Sequence, residues 1–338
     1  LSEVQRGGRH CRTLRSSDND LVQGQVLPGD DRPVRLVARP LRSGEIGAEI
    51  EALSGQVPAG EIPHGRIRIV ALILCRLTIG RLHLYCQDYV CQGWAPFPYV
   101  ILADGCSAAP DSDLGARLLA LNARRLLPWF ALPVADEAER VARHWRLGQR
   151  VIRRAVRQAR DLGVDEDVLD TTLIVAWCDG ATVYVHLYGD GCIAVRRADG
   201  ETTVIQIEYA ENAPYYLSYL LNRERHALYQ AAIGDPAIAQ TIHCLNETGL
   251  STRLEPFDSP TLFNFSLATL PTIAVATDGL HSLVSAETGN RMDVLSVAQM
   301  MLDFGDPDPG FIQRQVRQVL TDYERQRVFN LDDLSLGV

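Results

Sequence analysis

The sequence predicts an α+β protein in which two antiparallel β-sheets pack together and helices cover their outer faces. Two observations support this fold class. Four consecutive segments between residues 171 and 209 have strand composition and are separated by turns that contain Gly, which is typical of antiparallel sheets. Amphipathic helical patterns lie before and after this block, and a short final strand closes the chain.

The composition indicates a soluble, cytoplasmic protein. The chain has 338 residues, 46% of them hydrophobic and 22% charged, which is enough for a substantial core. A net charge of -9 argues against nucleic acid as a partner, since binding to phosphate backbones requires positive charge. The 8 Cys are scattered, which is typical of reduced thiols in the cytoplasm. The longest apolar run, Ile69 to Cys75, is too short to cross a membrane.

Residues 1–65 differ from the rest of the chain. They contain no Phe, Trp or Tyr and are rich in Gly, Pro and charged residues. Such a segment buries too little apolar surface to offset its loss of conformational entropy. We expect it to be disordered or to be a non-native extension from an early start codon, and the sequence leaves both readings open. We therefore predict one folded domain over residues 66–338.

Strand patterns open this domain. The residues from Arg66 to Ile79 are mostly apolar or β-branched, and those from Arg81 to Val90 alternate near the start, so both segments are predicted strands. A loop with two Pro follows at Trp94 to Pro98. The apolar run from Val100 to Ala103 is a third predicted strand, and it ends directly at Asp104.

Two helical patterns come next. Asp113 is a suitable N-cap for a helix from Leu114 to Leu127. A second helix is predicted from about Ala135 to Arg160, with apolar residues on one side and Arg residues at helical spacing on the other. The Arg face is typical of a solvated helix surface. A docking stripe for an anionic partner is the alternative reading.

The second half of the chain begins with the four strands of a predicted antiparallel meander. The strands are Thr171 to Trp177, Thr182 to Tyr188, Cys192 to Arg197 and Thr202 to Tyr209, with turns at Asp179-Gly180, Gly189-Asp190-Gly191 and Asp199-Gly200. A mixed insert with a short helix is predicted next, and further strands and two helices follow it. These segments are Ala213 to Gln230, Ala237 to Leu245, Leu262 to Leu267, a strand that ends at Asp278, Asp293 to Phe304, Pro309 to Arg327 and a final strand after Asn330.

The Asp-Gly pairs of this chain fall into two groups. Asp179-Gly180 and Asp199-Gly200 stand between alternating strands, which is typical of hairpin turns. Asp104-Gly105 and Asp278-Gly279 follow apolar strands, and no alternating strand comes after them. A carboxylate at the end of a buried strand is well placed to bind a hard cation, because such cations prefer oxygen ligands on a rigid support.

Two further acidic positions lie at predicted strand ends, Asp88 and the pair Asp332-Asp333. Together with Asp104 and Asp278 they can converge at one edge of a sandwich. Carboxylates that converge repel one another and raise one another's pKa unless a cation neutralises them. The residues themselves therefore indicate a metal site.

Six motifs, in order, resemble the metal-dependent protein phosphatases of the PPM, or type-2C, family in its bacterial form. The resemblance covers about residues 78–338. The motifs are CQDY (Cys86 to Tyr89), VILADGCSAAPDSDLGA (Val100 to Ala116), DTTL (Asp170 to Leu173), YGDG (Tyr188 to Gly191), ATDGL (Ala276 to Leu280) and DDLSLGV (Asp332 to Val338).

This resemblance implies a four-layer fold, with a central β-sandwich flanked by helices on both faces, and two Mg²⁺ or Mn²⁺ ions at one edge. Their implied ligands are the carboxylates of Asp88, Asp104, Asp278 and Asp332 and the backbone carbonyl of Gly105. A third ion is allowed at Asp167. The implied reaction is hydrolysis of phosphoserine or phosphothreonine on a protein, in which a water activated by the two-metal centre attacks phosphorus.

The chain departs from the family at several positions. Cys106 stands where some relatives have a His that protonates the leaving group, and Asp170 stands where many have Gly. In place of the Arg that contacts the substrate phosphate, the chain has His83, with Arg81 nearby, so either is a candidate for this contact. No motif of Cys-dependent phosphatases surrounds Cys106. The alternative function is therefore a catalytically weak regulatory or phosphoprotein-binding module.

Overall fold

The computed structural model describes residues 75–131, 136–303 and 310–338. The predicted N-terminal segment 1–65 and the domain boundary at residue 66 lie outside these residues. Of the strand predicted over Arg66 to Ile79, the described part is β1, Cys75–Thr78. None of the helices in the described residues is sufficiently long and apolar to cross a membrane.

Two antiparallel sheets form the centre of the molecule. The larger has seven strands in the order β1-β14-β11-β6-β7-β8-β9, and the smaller has five in the order β10-β5-β4-β3-β2. A two-stranded sheet pairs β12 with β13. The remaining bounds are β2 Tyr89–Gly93, β3 Tyr99–Ala103, β4 Leu173–Cys178, β5 Thr182–Tyr188, β6 Gly191–Arg196, β7 Thr202–Tyr209, β8 Gln240–Asn246, β9 Gly249–Glu255, β10 Thr261–Ser266, β11 Thr272–Ala276, β12 Leu283–Ser285, β13 Val328–Asn330 and β14 Leu334–Gly337.

Apolar side chains fill the space between the two large sheets and also cover their outer faces. Leu102 and Ile174 from the smaller sheet pack with Ile193 from the larger one, and all three are fully buried. The outer face of the smaller sheet packs against helices α1, Ser112–Phe130, and α2, Glu137–Asp161. Helices α4, Val294–Leu302, and α5, Phe311–Arg325, cover the larger sheet. The predicted α+β sandwich with helices on both faces is confirmed.

The ends of the first two helices follow from local capping. The predicted N-cap Asp113 lies in the first turn of α1, because the helix begins earlier, at Ser112, after Asp111 in the left-handed region. In α2 the side chain of Asp136 accepts a hydrogen bond from the backbone N–H of Glu139 at 2.9 Å, which satisfies one of the free amides of the first turn.

The predicted four-strand meander is wrong in one respect. Strands β4 and β5 pair in the smaller sheet, whereas β6 and β7 pair in the larger one. The residues Gly189-Asp190 therefore carry the chain from one sheet to the other instead of turning a hairpin. Strands between two apolar layers are buried on both faces, so their sequence does not show to which sheet they belong.

The strand predicted over Arg81 to Val90 is also wrong for most of its length, because β2 begins at Tyr89. The preceding residues form a loop whose backbone bonds to the end of the chain. The N–H of Arg81 donates to the carbonyl of Asn330 at 3.1 Å, and that of Leu82 donates to Leu331 at 3.2 Å. The alternation in this segment reflects a loop that turns some side chains inward, as described below for His83.

An insert occupies the chain between β7 and β8, as the sequence predicted. This insert, residues 210–239, contains two 3-10 turns and helix α3, Arg223–Ala232. Its Tyr215 and Tyr229 pack with Phe257 in an aromatic cluster separate from the core of the sandwich. Strand β9, which follows the insert, was missed because its exposed edge position leaves it with few apolar residues.

Candidate metal and phosphate site

Asp104 lies at the end of β3, every residue of which is buried. Two threonines directly before strand β4 form hydrogen bonds with both its carbonyl and its N–H. The N–H of Thr172 donates to the carbonyl of Asp104 at 2.8 Å, and the hydroxyl of Thr171 donates to the same oxygen at 2.5 Å. In return the N–H of Asp104 donates to Oγ1 of Thr172 at 3.3 Å. The two Thr of the DTTL motif therefore fix the backbone that carries this carboxylate.

Asp278 comes shortly after β11, and Thr277 beside it links two more strand ends. The Thr277 hydroxyl donates to Oδ2 of Asp88 at 3.0 Å and accepts the N–H of Ser335 at 3.0 Å. Oδ1 of Asp88 and Oδ1 of Asp278 are buried and have no hydrogen-bond partner. The fold therefore brings Asp88 and Asp278 to the edge at which β14 begins, with one free carboxylate oxygen each.

Burial and mutual repulsion raise the pKa of these carboxyl groups. Burial is the largest cause for Asp104, whose pKa lies well above the usual range, and Asp88, Asp278 and Asp332 add to it. The pKa of Asp88 is raised to about 7 by burial, although the nearby hydroxyl of Ser335 and the hydrogen bond from Thr277 oppose the rise. Such a cluster stores repulsion that protons or a cation can relieve.

The two residues of the C-terminal pair Asp332-Asp333 have different roles. Asp332 faces the cluster, and burial, followed by repulsion from Asp278, raises its pKa to about 6. Asp333 is buried and holds the loop before β2, because its Oδ1 accepts the N–H of Gly80 at 2.7 Å and its Oδ2 accepts that of Gln87 at 2.5 Å. Asp333 thus places the residue that directly precedes Asp88.

Asp190 is a member of this cluster that the sequence argument assigned to a turn. Burial raises its pKa well above the usual range, and repulsion from Asp278 and Asp332 raises it further. A signal was present, because the residues that follow, Cys192 to Val195, form an apolar run instead of an alternating strand. The same criterion had separated Asp104 and Asp278 from the hairpin pairs.

Comparison with known protein families shows to which family this chain belongs. A sequence model of the family described as protein phosphatase 2C matches residues 81–321. The chain belongs to the protein phosphatase 2C family. No curated protein matches it in sequence.

The solved structures to which this chain is similar include bacterial phosphatases. A point variant of a bacterial serine phosphatase is 12% identical, with a TM-score of 0.48, and the match covers 78% of this chain and 95% of that one. The serine/threonine phosphatase of S. agalactiae is 16% identical, with a TM-score of 0.47 and coverage of 79% and 97%. That of Staphylococcus aureus is 12% identical, with a TM-score of 0.46 and coverage of 78% and 92%.

Of the two candidates for phosphate contact in this member of the protein phosphatase 2C family, one lies at the carboxylate cluster. Nε2 of His83 is 3.5 Å from Oδ1 of Asp332, and Nδ1 is 3.1 Å from Oδ2 of Asp333. Arg81 points elsewhere, since its guanidinium pairs with Glu324 at 2.8 Å and stacks on the ring of Phe329. The structure therefore brings His83, and not Arg81, to the predicted site.

Cys106 and Asp170, the two departures from the family pattern, are neighbours. The N–H of Cys106 donates to the carbonyl of Asp170 at 2.9 Å. Burial raises the pKa of the Cys106 thiol, although the nearby hydroxyl of Tyr216 opposes the rise. A thiol that stays protonated is a poor nucleophile, so the geometry is consistent with a mechanism that needs no cysteine nucleophile.

The donor set of the site suits a hard divalent cation. All the side-chain donors predicted here are carboxylate oxygens, which Mg²⁺ and Mn²⁺ prefer. Gly105, whose carbonyl was predicted as a ligand, is buried beside Asp104. Among the residues that the structure describes, no three His, Cys, Asp or Glu side chains are already grouped so that they could hold a metal ion. The free oxygens of Asp88 and Asp278 and the mutual repulsion are the features that fit a cation, and the ligand set stays a prediction.

Proposed function

We propose that this chain is a metal-dependent protein-serine/threonine phosphatase that hydrolyses phosphomonoesters. The observation that carries the proposal is the convergence of Asp88, Asp104, Asp190, Asp278 and Asp332 at one edge of the sandwich, where burial, with repulsion from other carboxylates of the group, raises their pKa values. Membership of the protein phosphatase 2C family supports this reading.

Two Mg²⁺ or Mn²⁺ ions would be held by Asp88, Asp104, Asp278 and Asp332 with the carbonyl of Gly105. When bound, these cations supply Lewis-acid activation of the water that displaces the phosphoryl group from the Ser or Thr oxygen. The chain itself supplies rigidity, because Thr171 and Thr172 hold Asp104. A precise site needs such support from its surroundings.

His83 would bind the phosphate of the substrate. Its side chain is 15% exposed and both ring nitrogens lie beside carboxylates of the pair Asp332-Asp333, so it would meet the phosphate at this edge of the cluster. A neutral or charged imidazole donates a single hydrogen bond from each N–H, and so it grips phosphate less firmly than the paired donors of Arg. The proposed substrate is a phosphorylated protein in the cytoplasm.

Phosphate release from a phosphoserine peptide tests the proposal. We expect turnover with added Mn²⁺ or Mg²⁺ and none with EDTA. The double variant Asp104→Asn with Asp278→Asn should lose turnover, because it removes two charges from the predicted cation site. The matched double variant Asp179→Asn with Asp199→Asn alters two hairpin turns and should keep it. Turnover that is unaffected by EDTA, or that persists in the first double variant, would contradict the proposal.

A second candidate function is a phosphoprotein-binding module with weak catalysis. It is favoured by Cys106, which stands where some relatives carry a proton donor. Calorimetry with Mn²⁺ and a phosphopeptide separates the two functions. Peptide binding with neither Mn²⁺ binding nor turnover would support the second, and tight Mn²⁺ binding with turnover would exclude it.

A further inference from the structure

Asp170 connects the site to the insert, residues 210–239. Its backbone lies beside the catalytic edge, because its carbonyl accepts the N–H of Cys106 and the next two residues hold the peptide group of Asp104. Its carboxylate points the other way, toward the insert. The residue is only 9% exposed, so its charge needs partners from the protein.

The insert supplies these partners from two of its elements. Nη2 of Arg225, on helix α3, lies 2.8 Å from Oδ1 and 2.7 Å from Oδ2 of Asp170. The hydroxyl of Ser218, on the 3-10 turn Leu217–Leu220, donates to Oδ1 at 2.5 Å. Hydrogen bonds between charged groups are among the strongest in proteins. Three hydrogen bonds therefore join the insert to a single carboxylate.

Two further features show that the contact of the insert with Asp170 lies close to the candidate site. The same Nη2 of Arg225 lies 3.5 Å from Oδ1 of Asp167, the position at which a third metal was allowed. The hydroxyl of Tyr216 lies near enough to Cys106 to act on the pKa of its thiol. The guanidinium of Arg225 thus already places a positive charge beside Asp167. The insert also lies near Cys106, the residue that follows Asp104-Gly105.

We propose that Arg225 and Asp170 form a latch that fixes the insert beside Asp104 and so positions the catalytic edge. In this role Arg225 is a positioning residue that acts through Asp170, and Ser218 supports it. The chain thus ties its insert to the start of β4 by charge. The kinetic side of the proposal rests on the proposed phosphatase function, whereas its structural side does not.

Hydrogen–deuterium exchange with the full chain tests the structural side. Arg225→Gln should speed exchange both in the insert and at the amides of residues 104–106, because the latch joins the two. Arg225→Lys keeps the charge but not the fork of donors and should restore part of the protection. The matched control is Arg196→Gln, which removes a similarly buried Arg that bonds to Leu302 and Asp303 on the other side of the molecule. This control should leave residues 104–106 unchanged.

Hydrolysis of p-nitrophenyl phosphate tests the kinetic side. Arg225→Gln should lower kcat by about tenfold with little change in KM, because a slightly misplaced catalytic group slows the chemical step. Combining it with Asp170→Asn should add little, since both changes break the same contact. If Arg225→Gln does not fold, Ser218→Ala replaces it and should show the same pattern with a smaller amplitude.

The structural and the kinetic parts of the proposal can be contradicted independently of each other. A chain without phosphatase activity contradicts the proposed function, and exchange then still decides the latch. Normal protection of residues 104–106 in Arg225→Gln, or equal loss of protection in Arg196→Gln, overturns the latch. An active enzyme with unchanged kcat in Arg225→Gln overturns the positioning role.

Discussion

The same dipeptide, Asp-Gly, does two different things at the two ends of this sandwich. At the hairpin end, Asp179 accepts hydrogen bonds from the backbone amides of Ala181 and Thr182 at 3.0 and 2.9 Å, and it closes its own turn. Gly180 and Gly200 have φ of 103° and 96°, which favour glycine. In these turns the glycine is required by its backbone conformation.

At the site end Gly105 and Gly279 have no positive φ and are required by close packing instead, whereas Gly191, which follows Asp190, has a φ of 144°. A Cβ on Gly105 would lie 2.7 Å from the backbone of Ser112, and one on Gly279 would overlap the carbonyl of Asp333. Backbone segments can approach each other this closely only where a side chain is absent. The comparison shows that local sequence identifies the dipeptide, but the surrounding layers decide why it is there.

Replacing a glycine of each kind by alanine should give the largest difference between a position that needs close packing and one that needs a positive φ. Gly279→Ala should cost about 3 kcal/mol of unfolding free energy, because the backbone of Asp333 must move. Gly180→Ala should cost roughly 1 kcal/mol, because its position is open and only φ is unfavourable. Urea unfolding of both variants measures the difference. Equal costs would mean that close packing does not decide the site end.

Asp190 provides a further test of the comparison between the hairpin end and the site end. Its Gly-Asp-Gly sequence is typical of a turn, but in the structure it lies among the carboxylates of the candidate site. Asp190→Asn should lower phosphatase activity by about tenfold or more, because it removes a charge that the cluster directs at the predicted cations. Asp199→Asn, in a hairpin turn, should change activity by less than about twofold. Phosphate release at saturating Mn²⁺ measures both. Full activity in Asp190→Asn would return this residue to a structural role.

The sequence was sufficient for the features that local pattern determines. Asp104 and Asp278 could be placed after strands because each follows an apolar run, and the layer order followed from the alternation of strand and helix blocks. The assignment of β5 and β6 to different sheets could not be found, since most of β6 and the second half of β5 are buried on both faces. The pair of Asp170 with Arg225 also carries no local signal, because 55 residues separate its members.

The loop before β2 shows how a local pattern can mislead. Its alternation of Leu82, His83 and Leu84 predicted a strand. In the structure the two leucines are 71% and 98% exposed, and His83 turns inward to the carboxylates. The turn depends on Asp333, a partner from the far end of the chain that no local rule could supply.

The pH dependence of stability should distinguish the site end from the hairpin end. The pKa of Asp88 rises from 3.8 to about 7 on folding, and that of Asp332 rises to about 6. Between these values the folded state binds more protons than the unfolded state, so the stability of metal-free protein falls as pH rises from about 4 to about 7. We expect a loss of about 3 °C or more in Tm over this window.

Two controls identify the source of this loss. Asp88→Asn should flatten the dependence, because the amide cannot titrate. Saturating Mn²⁺ should raise the Tm above pH 7, since a ligand of the folded state stabilises it by mass action. A Tm of metal-free protein that rises steadily from pH 4 to pH 7, by differential scanning fluorimetry, would contradict the assigned repulsion.

The smallest effect is expected at Cys106, which lies one residue beyond the Asp104-Gly105 pair and has no counterpart in the hairpin turns. Burial raises the pKa of its thiol, so the thiolate needed for nucleophilic attack is scarce. Cys106→Ser should keep a hydroxyl that Tyr216 can reach, and kcat should change by less than about twofold. Iodoacetamide should react slowly without loss of activity. A tenfold loss in either experiment would place sulfur chemistry at this edge and would limit the role of the carboxylates to structure.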